Sequence, residues 1–383
     1  MLDLQLVETA ILRALEVSHT DETRLLLSLR REFSPEIAAH AVLQIRLRRT
    51  AQRKFSRAAS MWFTPDGLEQ SSSQVAAQYH ASRFPQGAPV VDGGCGIGGD
   101  LIALAARGRA VGVERHALSL QFARRNLDAY AVRDSAELVH GDLLRLRLER
   151  APFLFLDPAR RSGRKRFLPP EQWSPDWRTV CQLAKEVRGA LVKAAPALAV
   201  EHIPDGCERE YVSVEGECRE LLLAFGECRQ GVACSALILP EQARLTASGA
   251  PVPGVRPPMQ WVYDPDPAVV AARLVPELAQ KLNANLLHPQ IAYLTSEQLT
   301  PTPFARAYRV LEYFPYSRKA LSARLRALGA GTIVVKKRGV AQTPEDLVRA
   351  WKPAGQRKVV VLLYRAARGV NAVLAEDAGF VNS

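Results

Sequence analysis

The sequence lacks paired cysteines, long apolar runs and a signal peptide, and each absence excludes a class of protein. Its six cysteines include no C-x-x-C pair, which favours reduced thiols, although the four between Cys207 and Cys234 could also form a zinc site. No apolar run is long enough to cross a bilayer, and the N-terminus has no signal-peptide pattern. We therefore expect a cytoplasmic protein with no metal and no membrane partner.

Acidic residues are also scarce relative to basic ones. The 39 Asp and Glu stand against 51 Lys and Arg, which gives a net charge of +12 for 383 residues. A cationic excess of this size indicates a polyanionic partner, most simply nucleic acid, although a proteome rich in arginine would produce the same charge. The length is enough for two or three domains.

A glycine-rich stretch at residues 88–100 is the strongest motif in the chain. A short apolar run ends in Asp92, five glycines then fall within seven residues, and a helical pattern follows. This order predicts a strand, a tight turn and a helix whose first N–H groups point back at a ligand. Glycine suits such a turn because it allows a positive φ and a close approach of the backbone to the ligand.

Two kinds of cofactor use a turn of this type. Gly94, Gly96 and Gly99 fit the dinucleotide fingerprint G-x-G-x-x-G, and Glu114 stands where the acid that binds ribose is expected. Asp92 favours the second kind, a cofactor with a cationic amino-acid part. A carboxylate would attract such a cofactor, whereas it is unfavourable beside the pyrophosphate of a dinucleotide.

Strands and helices alternate after residue 90, which predicts a doubly wound sheet with its ligands at the carboxyl ends of the strands. The predicted strands cover residues 110–114, 136–140, 153–156 and 189–193, and two more, at 219–225 and 232–239, are close enough in sequence to pair antiparallel. Acidic residues stand at four strand ends, at Asp92, Glu114, Asp142 and Asp157. We expect these four carboxylates to lie along one rim of the sheet.

In this order of acids and glycines the chain resembles the class I S-adenosylmethionine-dependent methyltransferases. The resemblance implies a Rossmann-like seven-stranded α/β sheet and S-adenosylmethionine as the cofactor. It also implies that the first acid and the glycine turn hold the methionine part, the acid after the second strand binds the ribose hydroxyls, and the acid after the third strand reads the adenine. The cofactor residues it assigns are Asp92, Gly94, Gly96, Gly98, Glu114 and Asp142.

The sequence Asp157-Pro158-Ala159-Arg160-Arg161 occupies the position where this family binds its methyl acceptor. Methyltransferases that act on exocyclic amines usually have an aromatic residue here, and this chain has none. Two arginines suit an anionic part of the substrate, so we expect Pro158, Arg160 and Arg161 to bind substrate. Asp157 is the candidate that orients or deprotonates the acceptor, and Lys193, at the end of the next strand, is the second catalytic candidate.

Over most of its length the chain resembles bacterial methyltransferases with a C-terminal THUMP-like domain, and its core is distantly similar to the trimethylguanosine synthases. This implies a helical region at residues 1–82, a methyltransferase domain at 83–240, a linker at 241–258 and an α+β, ferredoxin-like or THUMP-like domain at 259–383. Within the last domain the pattern predicts a helix over residues 268–282. Related THUMP domains bind tRNA, so the resemblance implies an RNA partner.

Basic residues outside the methyltransferase core are consistent with an RNA partner. A helix predicted to begin at Ser34-Pro35-Glu36 would carry Arg46, Arg49, Arg53 and Arg57 on one face, which is either a solvated surface or a track for phosphates. Residues 336–338, Lys-Lys-Arg, form a second basic spot. The prediction is an enzyme that methylates tRNA or rRNA. The alternatives are a methyltransferase for a protein or small molecule, a non-catalytic RNA-binding protein, and a nicotinamide enzyme.

Overall fold

Residues 21–82 fold into helices whose ends follow the sequence signals. The computed structural model describes residues 3–16, 21–146, 152–158, 172–173, 175–340 and 355–380. The first helices are α1 (Leu4–Glu16), α2 (Glu22–Leu29), α3 (Pro35–Ala51), α4 (Pro65–Gln70) and α5 (Gln74–Ser82). Asp21, Ser34, Thr64 and Ser73 cap α2 to α5 by accepting a hydrogen bond from a free backbone N–H.

The four arginines that were predicted to share one helix face are not all helical, so that prediction was wrong for the last two. Helix α3 ends at Ala51, which leaves Arg53 and Arg57 outside it. The chain turns here because Phe55 is buried and packs 6.0 Å from the ring of Phe63. Spacing between arginines alone cannot show where burial of an aromatic side chain ends a helix.

The structure divides into two compact units, of which the first comprises residues 1–193 and 224–230. Its parallel strands are β1 (Val90–Gly93), β2 (Ala110–Glu114), β3 (Ala136–His140), β4 (Phe153–Leu156) and β5 (Gly189–Ala194), in the order β3-β2-β1-β4-β5. Helices α6 (Gly99–Ala105), α7 (Ala117–Ala129) and α8 (Trp177–Glu186) alternate with them. Every residue of β4 and β5 is buried, as expected for parallel strands that are covered on both faces.

The second unit comprises residues 194–223 and 231–383. It contains β6 (Glu208–Val214), most of β7 (Glu217–Gly226), β8 (Cys234–Leu239) and β9 (Ala243–Thr246), in the order β7-β6-β8-β9. The prediction that residues 219–225 and 232–239 pair with each other was wrong, because β6 lies between them and pairs in parallel with β8. Strand β6 gave no sequence signal because three charged residues open it, Glu208-Arg209-Glu210.

A second sheet in this unit is built from β10 (Trp261–Pro265), β11 (Asn285–His288), β12 (Ile291–Ser296), β13 (Ala305–Pro315), β14 (Ala330–Arg338), β15 (Arg357–Arg365) and β16 (Val370–Gly379). The strand order is β11-β12-β10-β13-β16-β15-β14, and β14 and β15 are parallel. Alternate residues of β15 belong to two different cores, with Val361 on one face and Leu362 on the other. Helix α11 (Arg318–Ala327) covers the first of these faces with Leu321 and Leu325.

The helix predicted over residues 268–282 is two helices, so that prediction was wrong in the middle. Helix α9 (Pro267–Ala271) ends before Arg273, whose φ of 60° is left-handed, and α10 (Val275–Leu282) begins with Pro276 in its first turn. Proline lacks the N–H that a continuous helix needs but fits the start of a new one.

The predicted fold class is confirmed, with helices before an α/β sheet and an α+β region at the C-terminus. Within the described residues, no helix is both long and apolar enough to span a membrane.

Candidate functional site

The glycine turn joins β1 to α6 with the geometry that its sequence predicts. Gly94, Gly96 and Gly98 have φ values of 104°, 53° and 86°, and Gly98 is the N-cap of α6. A Cβ on Gly94 or Gly96 would meet no atom within 4 Å. The turn therefore presents bare backbone to open space, which is the surface that a closely bound ligand requires.

Glu114, at the end of β2, holds this turn in place. Its Oε2 accepts a hydrogen bond from the N–H of Gly96 at 2.9 Å, and its Oε1 accepts one from the N–H of His116 at 2.7 Å. Each carboxylate oxygen has a second lone pair. Glu114 can therefore brace the turn and still accept hydrogen bonds from ligand hydroxyls.

Asp92 is a buried carboxylate with an unsatisfied oxygen. It is 3% exposed, and its Oδ2 accepts no hydrogen bond within the described parts of the chain. Burial, together with the negative charges of Asp100, Asp157 and Glu114, raises the pKa of Asp92 well above its ordinary value. A bound cationic group would offset this cost, so the site fits the amino-acid part of S-adenosylmethionine.

Asp142 follows β3 and caps the short turn at residues 143–145, where its Oδ1 accepts a hydrogen bond from the N–H of Leu144 at 3.0 Å. The next residue, Leu143, packs so closely on Gly93 that a Cβ there would lie 2.6 Å from its side chain. This contact keeps the turn that carries Asp142 beside the end of β1.

Asp157 and Lys193, the two predicted catalytic residues, form an ion pair. The register pairs Leu156 of β4 with Val192 of β5, so the next residue of each strand lies at the same level. Lys193 Nζ is 2.5 Å from Asp157 Oδ2. The side chain of Lys193 is 6% exposed and that of Asp157 is 24% exposed, so the carboxylate is the more accessible of the two.

The predicted substrate-binding residues are only partly described. Pro158 is buried directly after Asp157. Arg160 and Arg161 lie outside the described residues.

Three residues that the sequence analysis did not assign lie beside this pair. Ser72 Oγ is 3.0 Å from Lys193 Nζ and 2.8 Å from Asp100 Oδ2, and His80 Nδ1 is 2.7 Å from Asp100 Oδ1. Asp100 directly follows the glycine turn, which is the one signal that could have identified it. Ser72 and His80 come from the helical region before β1 and belong to no motif.

A separate cavity of about 280 Å³ lies between α5 and α6, and its lining includes Ala77, Ala81 and Ala103. None of the predicted cofactor residues lines it. The hydrogen-bonding groups converge instead at the glycine turn, where the sequence predicts the cofactor. Among the described residues, no three His, Cys, Asp or Glu side chains group together in a way that could hold a metal ion.

Comparisons with known proteins identify the family of this chain. Residues 305–376, from β13 into β16, match the family model described as THUMP domain-like. The chain is 33% identical over 319 residues to an uncharacterized S-adenosylmethionine-dependent methyltransferase found in two strains of Mycobacterium tuberculosis, a match that covers 81% of this chain and 86% of the relative. A putative methyltransferase from Porphyromonas gingivalis W83 shares the fold with a TM-score of 0.82 at 21% identity, over 99% of this chain and 100% of that one.

The predicted resemblance and cofactor are therefore confirmed: the chain belongs to the S-adenosylmethionine-dependent methyltransferases, with a THUMP-like C-terminal region and S-adenosylmethionine as its cofactor.

Proposed function

We propose that this chain is a cytoplasmic RNA methyltransferase that acts on tRNA or rRNA, with Asp157 as the residue that orients and deprotonates the methyl acceptor. The observation that carries the proposal is the place of Asp157 beside the glycine turn. The register pairs Gly93 of β1 with Leu156 of β4, so Asp157 and Gly94 leave neighbouring strands at the same level. An acceptor held by Asp157 would therefore lie next to the cofactor.

Bound S-adenosylmethionine supplies an electrophilic methyl group on a positively charged sulfur. The proposed binding residues divide the cofactor between them, with Asp92 and the glycine turn at the methionine part, Glu114 at the ribose and Asp142 at the adenine. The free lone pairs of Glu114 and the unsatisfied Oδ2 of Asp92 support this division.

At the acceptor, the two carboxylate oxygens of Asp157 would have different roles. Oδ2 is bound to Lys193, which fixes the carboxylate at the end of β4. We assign the other oxygen to the acceptor, where it would accept a hydrogen bond and then the proton that the acceptor loses. Pro158 would shape the entrance, and Arg160 and Arg161 would hold an anionic part of the substrate.

RNA as the substrate is supported by the THUMP-like match and by the positive charge of the chain. Exposed cations occur in both units, at Arg46 and Arg49 on α3 and at Arg318 and Lys319 on α11. The basic spot at residues 336–338 contributes less than its sequence suggests. Asp264 lies 3.3 Å from Lys336 and 2.7 Å from Arg338 and neutralises part of their charge.

We also propose the domain division that the sequence predicts, with residues 1–82 as a helical region, 83–240 as the methyltransferase domain, 241–258 as a linker and 259–383 as the THUMP-like domain.

Mass spectrometry of nucleosides from a deletion strain tests the function. We expect one methylated nucleoside to disappear from tRNA or rRNA and to return with the wild-type gene but not with Asp157→Asn. Purified protein with tritiated S-adenosylmethionine should label the same RNA fraction from the deletion strain. Label in protein or in small molecules, with the RNA unchanged, would favour those substrates instead.

A further inference from the structure

We propose that Ser72, Asp100 and His80 form a positioning chain that holds the Lys193 ammonium against Asp157. The inference deepens the proposed function and rests on it, because it concerns how the acceptor carboxylate is fixed. It assigns a role in the active site to two residues, Ser72 and His80, from the helical region that precedes the sheet.

The four contacts form one continuous path. Lys193 Nζ is 2.5 Å from Asp157 Oδ2 and 3.0 Å from Ser72 Oγ. Ser72 Oγ is 2.8 Å from Asp100 Oδ2, and Asp100 Oδ1 is 2.7 Å from His80 Nδ1. All of these distances lie in the range of hydrogen bonds.

The direction of each hydrogen bond follows from the donors available. An ammonium group can only donate, so Ser72 Oγ accepts from Lys193 and must direct its single proton to Asp100. Asp100 then accepts at both oxygens, and Nδ1 of His80 carries the proton that it donates. Burial alone would raise the pKa of Asp100, but the hydrogen bond and charge of His80, with the charge of Lys193, lower it, which agrees with an ionised acceptor.

Packing keeps these groups away from water. His80 is fully buried and stacks on Phe155, with ring centroids 5.2 Å apart and planes inclined by 27°. Phe155 lies in β4, two residues before Asp157. Both ends of the path therefore meet the same strand, Asp157 as its continuation and His80 through its contact with Phe155. Ser72 is fixed next to Ser73, the N-cap of α5, and Asp100 lies in the first turn of α6.

The consequence concerns the side-chain entropy of lysine. A lysine has four rotatable bonds, and one ion pair alone does not select a single rotamer at low cost. A second, buried hydrogen bond, which Lys193 donates to Ser72 Oγ, restricts the lysine to the rotamer that faces Asp157. Loss of this bond should therefore disturb the acceptor geometry and leave the cofactor residues in place.

Three serine variants test this role. We expect Ser72→Ala to lower kcat for methyl transfer to RNA by about tenfold or more, because a hydrogen bond to a charged group is typically worth roughly 1.5–3 kcal/mol. KM for RNA and the dissociation constant for S-adenosylmethionine should change by less than about twofold, which corresponds to roughly 0.4 kcal/mol. Ser72→Thr, which retains the hydroxyl, should restore kcat. Ser73→Ala is the matched control, because it removes a helix cap in the same loop without touching Lys193.

A second measurement needs no substrate. In protein labelled with ¹⁵N-lysine, the Lys193 ammonium should give a slowly exchanging NMR signal, identified by its loss in Lys193→Met. We expect the signal to disappear or shift in Ser72→Ala and to persist in Ser73→Ala. An unchanged signal and an unchanged kcat in Ser72→Ala would overturn the positioning chain. If the wild type methylates no RNA, the proposed function fails, and the NMR signal alone decides whether the chain exists.

Discussion

Lys193 Nζ and Asp157 Oδ2 lie 2.5 Å apart, although 36 positions separate the two residues in the sequence. Their strands are neighbours in the parallel sheet and end at the same level. The proposed acceptor carboxylate is therefore held by a partner from the adjacent strand. The proposed cofactor carboxylate, Asp92, lies one strand away on the other side and has an oxygen that no described residue satisfies.

Replacement of Asp157 by Asn should abolish methyl transfer. The affinity for S-adenosylmethionine should change by no more than a few fold, about the effect of losing one neutral hydrogen bond. The amide keeps the shape of the side chain but cannot accept the proton. Turnover of tritiated cofactor and calorimetric binding provide the two measurements. Asp134→Asn, at an exposed carboxylate of the same unit, is the control. Normal turnover, or complete loss of cofactor binding, would contradict the assignment.

Replacement of Asp92 by Asn should weaken binding of S-adenosylmethionine by about tenfold or more, because it removes a charged hydrogen-bond partner. The same substitution should stabilise the protein without cofactor. The folded state raises the pKa of Asp92, so wild type loses stability as the pH rises from the ordinary pKa of aspartate through the folded one. Because the pKa is raised, the gain in melting temperature should be larger at pH 8 than at pH 5.

Asp100→Asn is the matched comparison for this stability effect, because it changes a second buried aspartate in the same unit. The folded state lowers the pKa of Asp100, so its ionised form contributes stability above the ordinary pKa of aspartate, and that stability is lost as the pH falls. The two variants should therefore shift the melting temperature in opposite directions at neutral pH. Equal shifts in the same direction would contradict our account of both carboxylates.

Replacement of Gly94 by Ala should remove cofactor binding, since the new Cβ would occupy the open space that faces the ligand. Gly216→Ala is the control. Gly216 has a positive φ of 77°, compared with 104° for Gly94, and equally open surroundings. It lies in a different turn, between β6 and β7. Both variants carry backbone strain and should lose some stability. Calorimetry should show loss of S-adenosylmethionine binding for Gly94→Ala alone.

Replacement of Arg46, Arg49 and Arg53 by Ala should weaken RNA binding and reduce its dependence on salt. Each phosphate contact contributes a slope of roughly 0.9 on a duplex and about 0.7 on a single strand. Filter binding to total tRNA and rRNA over a range of salt concentrations measures both quantities. A slope that the substitutions leave unchanged would mean that these arginines do not contact phosphate.

Arg48→Ala is the contrasting variant for this experiment. Arg48 donates a hydrogen bond to the carbonyl of Met61 at 2.8 Å and lies 5.4 Å from the ring of Trp62. We expect it to lower the melting temperature and to leave the salt slope unchanged.

Sequence patterns predicted the structure around the candidate site most accurately where local chemistry has few alternatives. The glycine turn could be read from residues 88–100, because glycine adopts the positive φ values observed at Gly94, Gly96 and Gly98 at the lowest steric cost. The unbroken apolar run at residues 153–156 identified β4, because a strand buried on both faces needs no polar side. Predictions failed at β6 and at the break between α9 and α10, where pairing and packing overrode local pattern.

The sequence by itself determined the succession of acids at the strand ends, the glycine turn and the excess of positive charge. These depend on local backbone geometry and composition, which are properties of short segments. Only the tertiary structure decided that Lys193 faces Asp157, that Ser72 and His80 reach the site, and that Asp264 neutralises part of the basic spot at residues 336–338. Such contacts join residues that are far apart in the chain, and strand register and side-chain packing, which no local pattern encodes, bring them together.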